Sequence, residues 1–172
     1  LQGGNVKKIL IYLLSIGIFG VASIANSQTI RIGTEGAYPP WNNLNSAGEL
    51  EGAEIDFGNE ACKRMGVTCE WVTQDWDGII PALLQGKYDI IIAGMSITEE
   101  RKEKVNFTTG YMTDGARFAV LKNSGLANLN IAGMAKVNLN NAGGKEQAAI
   151  GQLIAAMDGK TVCVQSSTIH QN

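Results

Sequence analysis

An uninterrupted apolar run, Ile90–Ala93 directly after Asp89, limits the possible folds of this 172-residue chain more sharply than any other segment. Such a run is typical of a strand buried on both faces, and strands of that kind belong to parallel sheets covered by helices. The segments before it alternate between strand and helix patterns, at 29–33, 55–65, 69–72 and 77–84. This order predicts an α/β fold with a parallel-rich sheet.

Capping residues support the helices of this pattern. Asp77 is a predicted N-cap for the second helix, which tolerates Pro81 in its first turn. Thr98 precedes another predicted helix, whose first turn carries two acids where the helix dipole favours them. Farther along, the patterns predict strands at 117–121 and 160–164, a helix at 148–157 and a long surface excursion at 123–146.

The N-terminal segment has the pattern of a secretory signal. Lys7 and Lys8 form a positive region, residues 9–21 are apolar, and small residues stand at Ser23 and Ala25. The alternatives are a membrane anchor or a buried helix, but an anchor needs about 20 apolar residues. We therefore expect residues 1–25 to be a signal peptide that is cleaved on export to the periplasm.

Composition excludes several classes of function. A net charge of -2 and a sequence pI of about 5.4 predict that the chain does not bind nucleic acid. One His and three Cys are too few for a closely spaced zinc cage. Because no nucleophile–base pair or phosphate-binding loop is visible either, we predict no catalytic residues, no metal and no cofactor.

The cysteines have two interpretations. Cys62 and Cys69 are seven residues apart, across a predicted helix end and turn, so a disulfide would staple the helix to the next strand. An oxidising periplasm permits this bond, and the alternative is two buried thiols. Cys163 lies in a predicted strand and is expected to be a buried thiol.

Candidate ligand residues follow the predicted strands, where sheets of this kind bind their ligands. Arg101 could bind an α-carboxylate through two hydrogen bonds, and free N–H groups of the small-residue loop before it could donate to the same carboxylate. Tyr38 and Trp76 could sandwich a side chain, and Glu35 could offset a positive head group. The alternatives are a solvated helix face for Arg101, core packing for the two aromatics and a surface position for Glu35.

Longer motifs extend this interpretation. They are R-I-G-T-E-G-A-Y-P-P-W (31–41), E-I-D-F-G-N-E-A-C-K-R-M (54–65), D-W-D-G-I-I-P-A-L (75–83), A-G-M-S-I-T-E-E-R (93–101) and G-K-T-V-C-V-Q-S-S-T-I-H (159–170). Together they resemble the solute-binding proteins of bacterial amino-acid ABC transporters, family 3, especially the lysine/arginine/ornithine and octopine types.

The resemblance implies a two-lobed periplasmic-binding-protein fold of type II, a Venus flytrap that holds its ligand between the lobes. It implies lobe 1 at 26–113, the start of an incomplete lobe 2 at 114–172, and a disulfide between Cys62 and Cys69. Ala93 and Gly94 stand where some relatives have Ser-Ser. The implied ligand-binding residues are Glu35, Tyr38, Trp76, Ala93, Gly94, Ser96, Arg101, Ser167 and Thr168.

The expected function is capture of a basic L-amino acid or an opine-like derivative. The expected partners are that small molecule and an inner-membrane ABC permease, with the protein acting as a monomer. A periplasmic cyclohexadienyl dehydratase on the same fold is the alternative, in which Glu35 would be the acid. A sensor module of a larger receptor is a third hypothesis.

Overall fold

The computed structural model describes residues 28–129, 131, 137 and 142–171, so the predicted signal segment lies outside the described residues. The chain divides between Met95 and Ser96 into two compact units, called unit 1 and unit 2 below. The elements of unit 1 are β1 (Thr29–Thr34), β2 (Ala37–Tyr38), β3 (Asn42–Leu44), β4 (Leu50–Glu51), α1 (Ala53–Met65), β5 (Thr68–Thr73), a 3-10 turn (Trp76–Gly78), α2 (Ile79–Leu84) and β6 (Ile90–Ile91). Unit 2 contains α3 (Glu99–Lys102) and α4 (Gly144–Met157).

A three-stranded parallel sheet, ordered β5-β1-β6, organises unit 1. The central strand β1 pairs with β5 along its whole length, from Thr29 opposite Thr68 to Thr34 opposite Thr73. It pairs with β6 in the same direction through Ile32 and Gly33, which face Ile90 and Ile91. The predicted α/β fold class with a parallel-rich sheet is confirmed. Because the strands are parallel, their carboxyl ends meet at one edge.

A small antiparallel sheet, ordered β2-β3-β4, occupies the segment between β1 and α1. Tyr38 of β2 lies opposite Asn42 of β3, and Leu44 lies opposite Leu50 of β4. This segment follows directly from the carboxyl end of β1. It therefore places its side chains at the same edge as the predicted ligand residues.

Helix α1 follows the sequence pattern closely. It ends at Met65, and Gly66 closes it in a left-handed conformation with its N–H turned back to the last carbonyls. Ile55 and Cys62 lie on its buried face, and Cys62 forms a disulfide with Cys69 near the start of β5. The predicted disulfide is confirmed. In the chain-entropy account, closing so short a loop adds about 2.5 kcal/mol to the free energy of unfolding.

A core cluster of unit 1 includes helix α2. It consists of four buried side chains: Ile79, Ala82, Tyr88 and Ala93. The Tyr88 ring fills the space beside β1 where a Cβ on Gly33 would lie, 2.5 Å from the nearest ring carbon. Its hydroxyl donates a hydrogen bond to the carbonyl of Ile79. Strand β1 and helix α2 are thus joined through one aromatic side chain.

Two predictions for unit 1 are wrong in detail. The apolar run forms a strand of only two residues, and Ile90 is 41% exposed rather than buried on both faces. Within the described part of the chain β6 is an edge strand: it pairs with β1 along one edge, and no strand pairs with its other edge. Asp77 lies inside the 3-10 turn instead of capping α2, because the chain enters that helix through Gly78.

In unit 2 the predictions for helices hold better than those for strands. The Thr98 hydroxyl accepts the N–H of Arg101 and so caps α3 as predicted, and α4 contains the predicted helix at 148–157. No strand forms at 117–121 or 160–164, and Cys163 is exposed rather than buried. A strand pattern needs a neighbouring strand to complete its hydrogen bonds, and the described residues offer these two segments none.

Turns occupy most of residues 122–128, at the start of the predicted surface excursion, and much of the remainder lies outside the described residues. The division between Met95 and Ser96 separates two compact units and does not test where one lobe ends and the next begins. The predicted lobe boundary at 113/114 therefore stays a prediction.

None of the helices in the described part of the chain has both the length and the apolar character needed to cross a membrane.

Candidate ligand-binding site

Five of the predicted site residues lie in unit 1, next to the carboxyl ends of its parallel strands. Glu35 follows β1 directly and is half-buried, and Tyr38 lies in β2 with 41% of its surface exposed. Trp76 opens the 3-10 turn after β5, while Ala93 and Gly94 follow β6. The topology of the sheet thus gathers these residues along one edge, as their positions after the predicted strands indicate.

Tyr38 and Gly94 are in close contact at this edge. A Cβ placed on Gly94 would lie 3.0 Å from Cε1 of the Tyr38 ring. Gly94 also has a φ of 58°, a left-handed conformation that side chains rarely adopt. The absence of a side chain at residue 94 therefore lets the Tyr38 ring lie against the loop backbone.

Ala93 and Trp76 have packing roles as well. The Ala93 methyl is 4% exposed and belongs to the core cluster, so its side chain faces the protein interior. Trp76 is half-buried and packs against the same cluster. A ligand role for Ala93 would therefore rest on its backbone atoms, and one for Trp76 on the part of the ring that remains exposed.

Two buried polar residues that sequence reasoning missed lie beneath the loops of unit 1. Glu54, at the start of α1, is 2% exposed, and Asn42 of β3 is 0% exposed. The Glu54 carboxylate accepts the Gly94 N–H at Oε1 and the Asn42 amide at Oε2, each at 2.7 Å. Asn42 Oδ1 in turn accepts the Gly36 N–H at 2.8 Å.

This network corrects one expectation about the loop at 93–96. The sequence predicts that the N–H groups of this loop are free to bind a ligand carboxylate. The Gly94 N–H is instead hydrogen-bonded to Glu54 and is not available. One feature of the sequence could have indicated Glu54, because it is the first residue of the motif at 54–65. In sequence, however, an acid in a first helical turn is explained by the helix dipole, and nothing local indicates burial.

The remaining predicted site residues lie in unit 2, where Arg101 connects two of them. Its Nη1 donates to the Ser96 carbonyl at 2.8 Å and its Nη2 to the Ser167 carbonyl at 3.1 Å. Burial lowers the pKa of Arg101, and the neighbouring Glu100 carboxylate opposes that effect. A guanidinium stays protonated in proteins even so. Arg101 is thus an oriented, half-buried cation, unlike the exposed Lys102 beside it.

Ser167 and Thr168 belong to a turn near the end of the described residues. Ser167 has a φ of 58°, and its N–H donates to the Gln171 side chain. The Thr168 hydroxyl donates to the Gln165 carbonyl at 2.8 Å. Ser167 therefore meets Arg101 through its backbone carbonyl, whereas the Thr168 hydroxyl is bonded within its own turn.

Two further observations describe the chemistry available. Within the described residues, no group of three or more His, Cys, Asp or Glu side chains is arranged to hold a metal ion. A groove of about 390 Å³ lies beside α3 in unit 2, but its lining includes none of the predicted site residues. The arrangement in each unit suits binding of a small polar molecule: a carboxylate and an aromatic ring in unit 1, and an oriented guanidinium in unit 2.

The sequence as a whole identifies the family. Residues 30–162 match the bacterial extracellular solute-binding proteins, family 3. The chain belongs to this family. The match runs through most of the described residues of both units, and it confirms the resemblance inferred from the motifs. Membership of the solute-binding proteins also agrees with the parallel α/β sheet of unit 1.

Individual solute-binding proteins of the family are similar over most of the chain. The octopine-binding periplasmic protein of Rhizobium meliloti is 43% identical over 158 residues, which cover 91% of this chain and 53% of the relative. The L-arginine-binding protein of Pseudomonas aeruginosa is 40% identical over 120 residues, covering 70% of this chain and 46% of the relative. These relatives are binding proteins. The chain spans about half the length of the curated relatives it matches.

Solved structures of the family are also similar. A periplasmic His/Glu/Gln/Arg/opine family-binding protein from Silicibacter pomeroyi, in complex with lysine, is 61% identical in the aligned part. The alignment covers 48% of this chain and 38% of that chain, with a TM-score of 0.47.

Proposed function

We propose that the protein is the periplasmic solute-binding component of an amino-acid ABC transporter. It captures a basic L-amino acid, such as arginine, lysine or ornithine, or an opine-like ligand, and delivers it as a monomer to an inner-membrane permease. The observation that carries this proposal is the similarity over 91% of the chain to an octopine-binding periplasmic protein. The similarity to an L-arginine-binding protein supports the same class of ligand.

Arg101 is the proposed partner of the ligand α-carboxylate. Both of its terminal nitrogens already donate to backbone carbonyls, so the plane of the guanidinium is held in one orientation. Hydrogen bonds between a guanidinium and a carboxylate are shorter and roughly twice as strong as those between two neutral groups. Ser96, Ser167 and Thr168 are proposed to contribute near the α-groups of the ligand.

Residues of unit 1 are proposed to recognise the ligand side chain. Tyr38 keeps an exposed ring, and Trp76 is half-buried, so both can flank an aliphatic stem. Glu35 follows β1 at the same sheet edge and would offset a positive head group. Ala93 and Gly94 are proposed to form the floor of this part of the site through their backbone.

A ligand panel measured by thermal shift tests the proposal. The full-length protein containing this chain is mixed with arginine, lysine, ornithine, octopine, glutamine or glutamate. A ligand present at 100 times its Kd adds about 2.7 kcal/mol to the free energy of unfolding. We expect that stabilisation from cationic amino acids or octopine. Absence of any such shift, with consumption of added prephenate, would instead support the dehydratase alternative.

Substitutions assign the roles within the same panel. Arg101→Ala should abolish binding, whereas Lys102→Ala, on the same helix with an exposed side chain, should leave the Kd unchanged. Glu35→Gln should weaken arginine binding far more than glutamine binding, because only arginine carries a head-group charge to offset. Micromolar affinity in Arg101→Ala would refute the carboxylate assignment, and equal losses in Glu35→Gln would refute a cationic pocket.

A further inference from the structure

We propose that Glu54 and Asn42 are positioning residues for ligand binding, an inference that rests on the proposed function. They form a buried relay of three hydrogen bonds: Gly94 N–H to Glu54, the Asn42 amide to Glu54, and Gly36 N–H to Asn42. This set is called the Glu54 relay below. It joins the loop after β6 to the loop after β1, and the hydrogen-bonded pair Gly94 and Glu54 is 40 positions apart in sequence.

Burial makes the hydrogen bonds of the Glu54 relay costly to break. The two side chains are 2% and 0% exposed, and the hydrogen bonds are 2.7, 2.7 and 2.8 Å long. A buried carboxylate is strongly unfavourable unless donors surround it, and a buried donor that loses its acceptor is costly as well. The relay is therefore stable only when each donor faces an acceptor.

The relay orients the backbone of both candidate ligand loops. In a trans peptide the N–H of one residue and the C=O of the preceding residue point in opposite directions. With the Gly94 N–H held by Glu54, the carbonyl of Ala93 is directed away from Glu54. The Gly36 N–H is bonded to Asn42, and this bond fixes the orientation of the peptide between Glu35 and Gly36. Glu35 and the loop carrying Ala93 and Gly94 are thus fixed relative to each other by one buried carboxylate.

The chemistry of the relay has a definite polarity, which allows a sharp test. Glu54→Gln is nearly isosteric, but its NH₂ group must face either the Gly94 N–H or the Asn42 amide. If Asn42 flips to accept from that NH₂, its own NH₂ then faces the Gly36 N–H. Asn42→Asp places two carboxylates in contact, which repel each other.

The double variant, Glu54→Gln with Asn42→Asp, restores every pair of the relay. The carboxylate introduced at position 42 accepts from the Gly36 N–H and from the amide NH₂ introduced at position 54. The oxygen of that same amide accepts from the Gly94 N–H. The two substitutions therefore exchange the carboxylate and the amide between the two positions and leave each donor facing an acceptor.

The experiment is a double-mutant cycle in the full-length protein, with the Kd for the best ligand of the panel measured by calorimetry on fully folded samples. We expect Glu54→Gln and Asn42→Asp each to raise the Kd by about tenfold or more, which corresponds to about 1.4 kcal/mol. The double variant should return to within about threefold of the parent. Glu60→Gln, on the solvent-exposed side of the same helix, is the matched control and should leave the Kd unchanged.

Parallel melting temperatures separate positioning from a purely structural role. A lower Tm with an unchanged Kd in Glu54→Gln would overturn the inference, since the relay would then support only the fold. A folded double variant whose Kd stays about tenfold or more above that of the parent would overturn it too, and this comparison with the parent decides the matter even where a single variant does not fold. If the parent binds no member of the panel, the proposed function fails, whereas normal parent binding with an unaffected Glu54→Gln variant refutes the positioning role alone.

Discussion

Gly94 is the residue of unit 1 at which backbone conformation, hydrogen bonding and packing are most closely coupled. Its φ of 58° lies in the left-handed region, and its N–H is bonded to the buried Glu54 carboxylate. A Cβ at this position would also press on the Tyr38 ring at 3.0 Å. The conformation of Gly94 and the position of the Tyr38 ring therefore depend on each other.

This coupling predicts the effect of Gly94→Ala. Left-handed backbone costs a residue with a side chain about 1–2 kcal/mol, and the contact with Tyr38 adds to that cost. Gly48→Ala is the matched control, since Gly48 has a φ of 79° but nothing within 4 Å of its Cβ position. Urea denaturation should show that Gly94→Ala destabilises more than Gly48→Ala. Equal losses would contradict a role for the Tyr38 contact.

At the scale of elements, the contact between β1 and α2 depends on Tyr88. The side chain is 1% exposed, lies against Gly33 of β1 and donates to the Ile79 carbonyl in α2. Burial raises the pKa of the Tyr88 phenol above its ordinary value of 10.0, because the phenolate is poorly solvated in the core. The junction between strand and helix is therefore sensitive to alkaline pH.

The sign of that pH dependence follows from linkage. A raised pKa in the folded state contributes stability that is present below pH 10.0 and is lost as pH rises through the folded pKa. We expect the free energy of unfolding of the parent to fall more steeply above pH 10.0 than that of Tyr88→Phe, by at most about 1.4 kcal/mol per pH unit. Denaturant titrations between about pH 9 and 11 measure this difference, and parallel curves would contradict it.

At the scale of the whole molecule, the family match at 30–162 runs through both compact units, whereas the predicted signal at 1–25 precedes it. The octopine-binding relative is periplasmic by name, in line with the proposed periplasmic location. The disulfide between Cys62 and Cys69 agrees with an oxidising compartment. These observations support the proposed periplasmic location.

The proposed export predicts a defined N-terminus for the mature protein. Intact mass and N-terminal sequencing of protein released from the periplasm should show that the chain starts at Asn26. Ala25→Leu should block this cut, because signal peptidase needs a small residue there, while Ala22→Leu serves as a control within the same segment. A mature chain that retains Lys7 and Lys8 would contradict the signal peptide.

Local sequence patterns by themselves determined the parallel strands β1 and β5, helix α1 with its Gly66 cap, the Thr98 cap and the family. Each depends on residues close together in the chain or on a motif read directly. They did not determine the burial of Glu54, the engaged N–H of Gly94, or the absence of strands at 117–121 and 160–164. Only the tertiary structure decided these features, because a buried carboxylate or a strand depends on partners from distant segments, and no local pattern specifies which partner arrives.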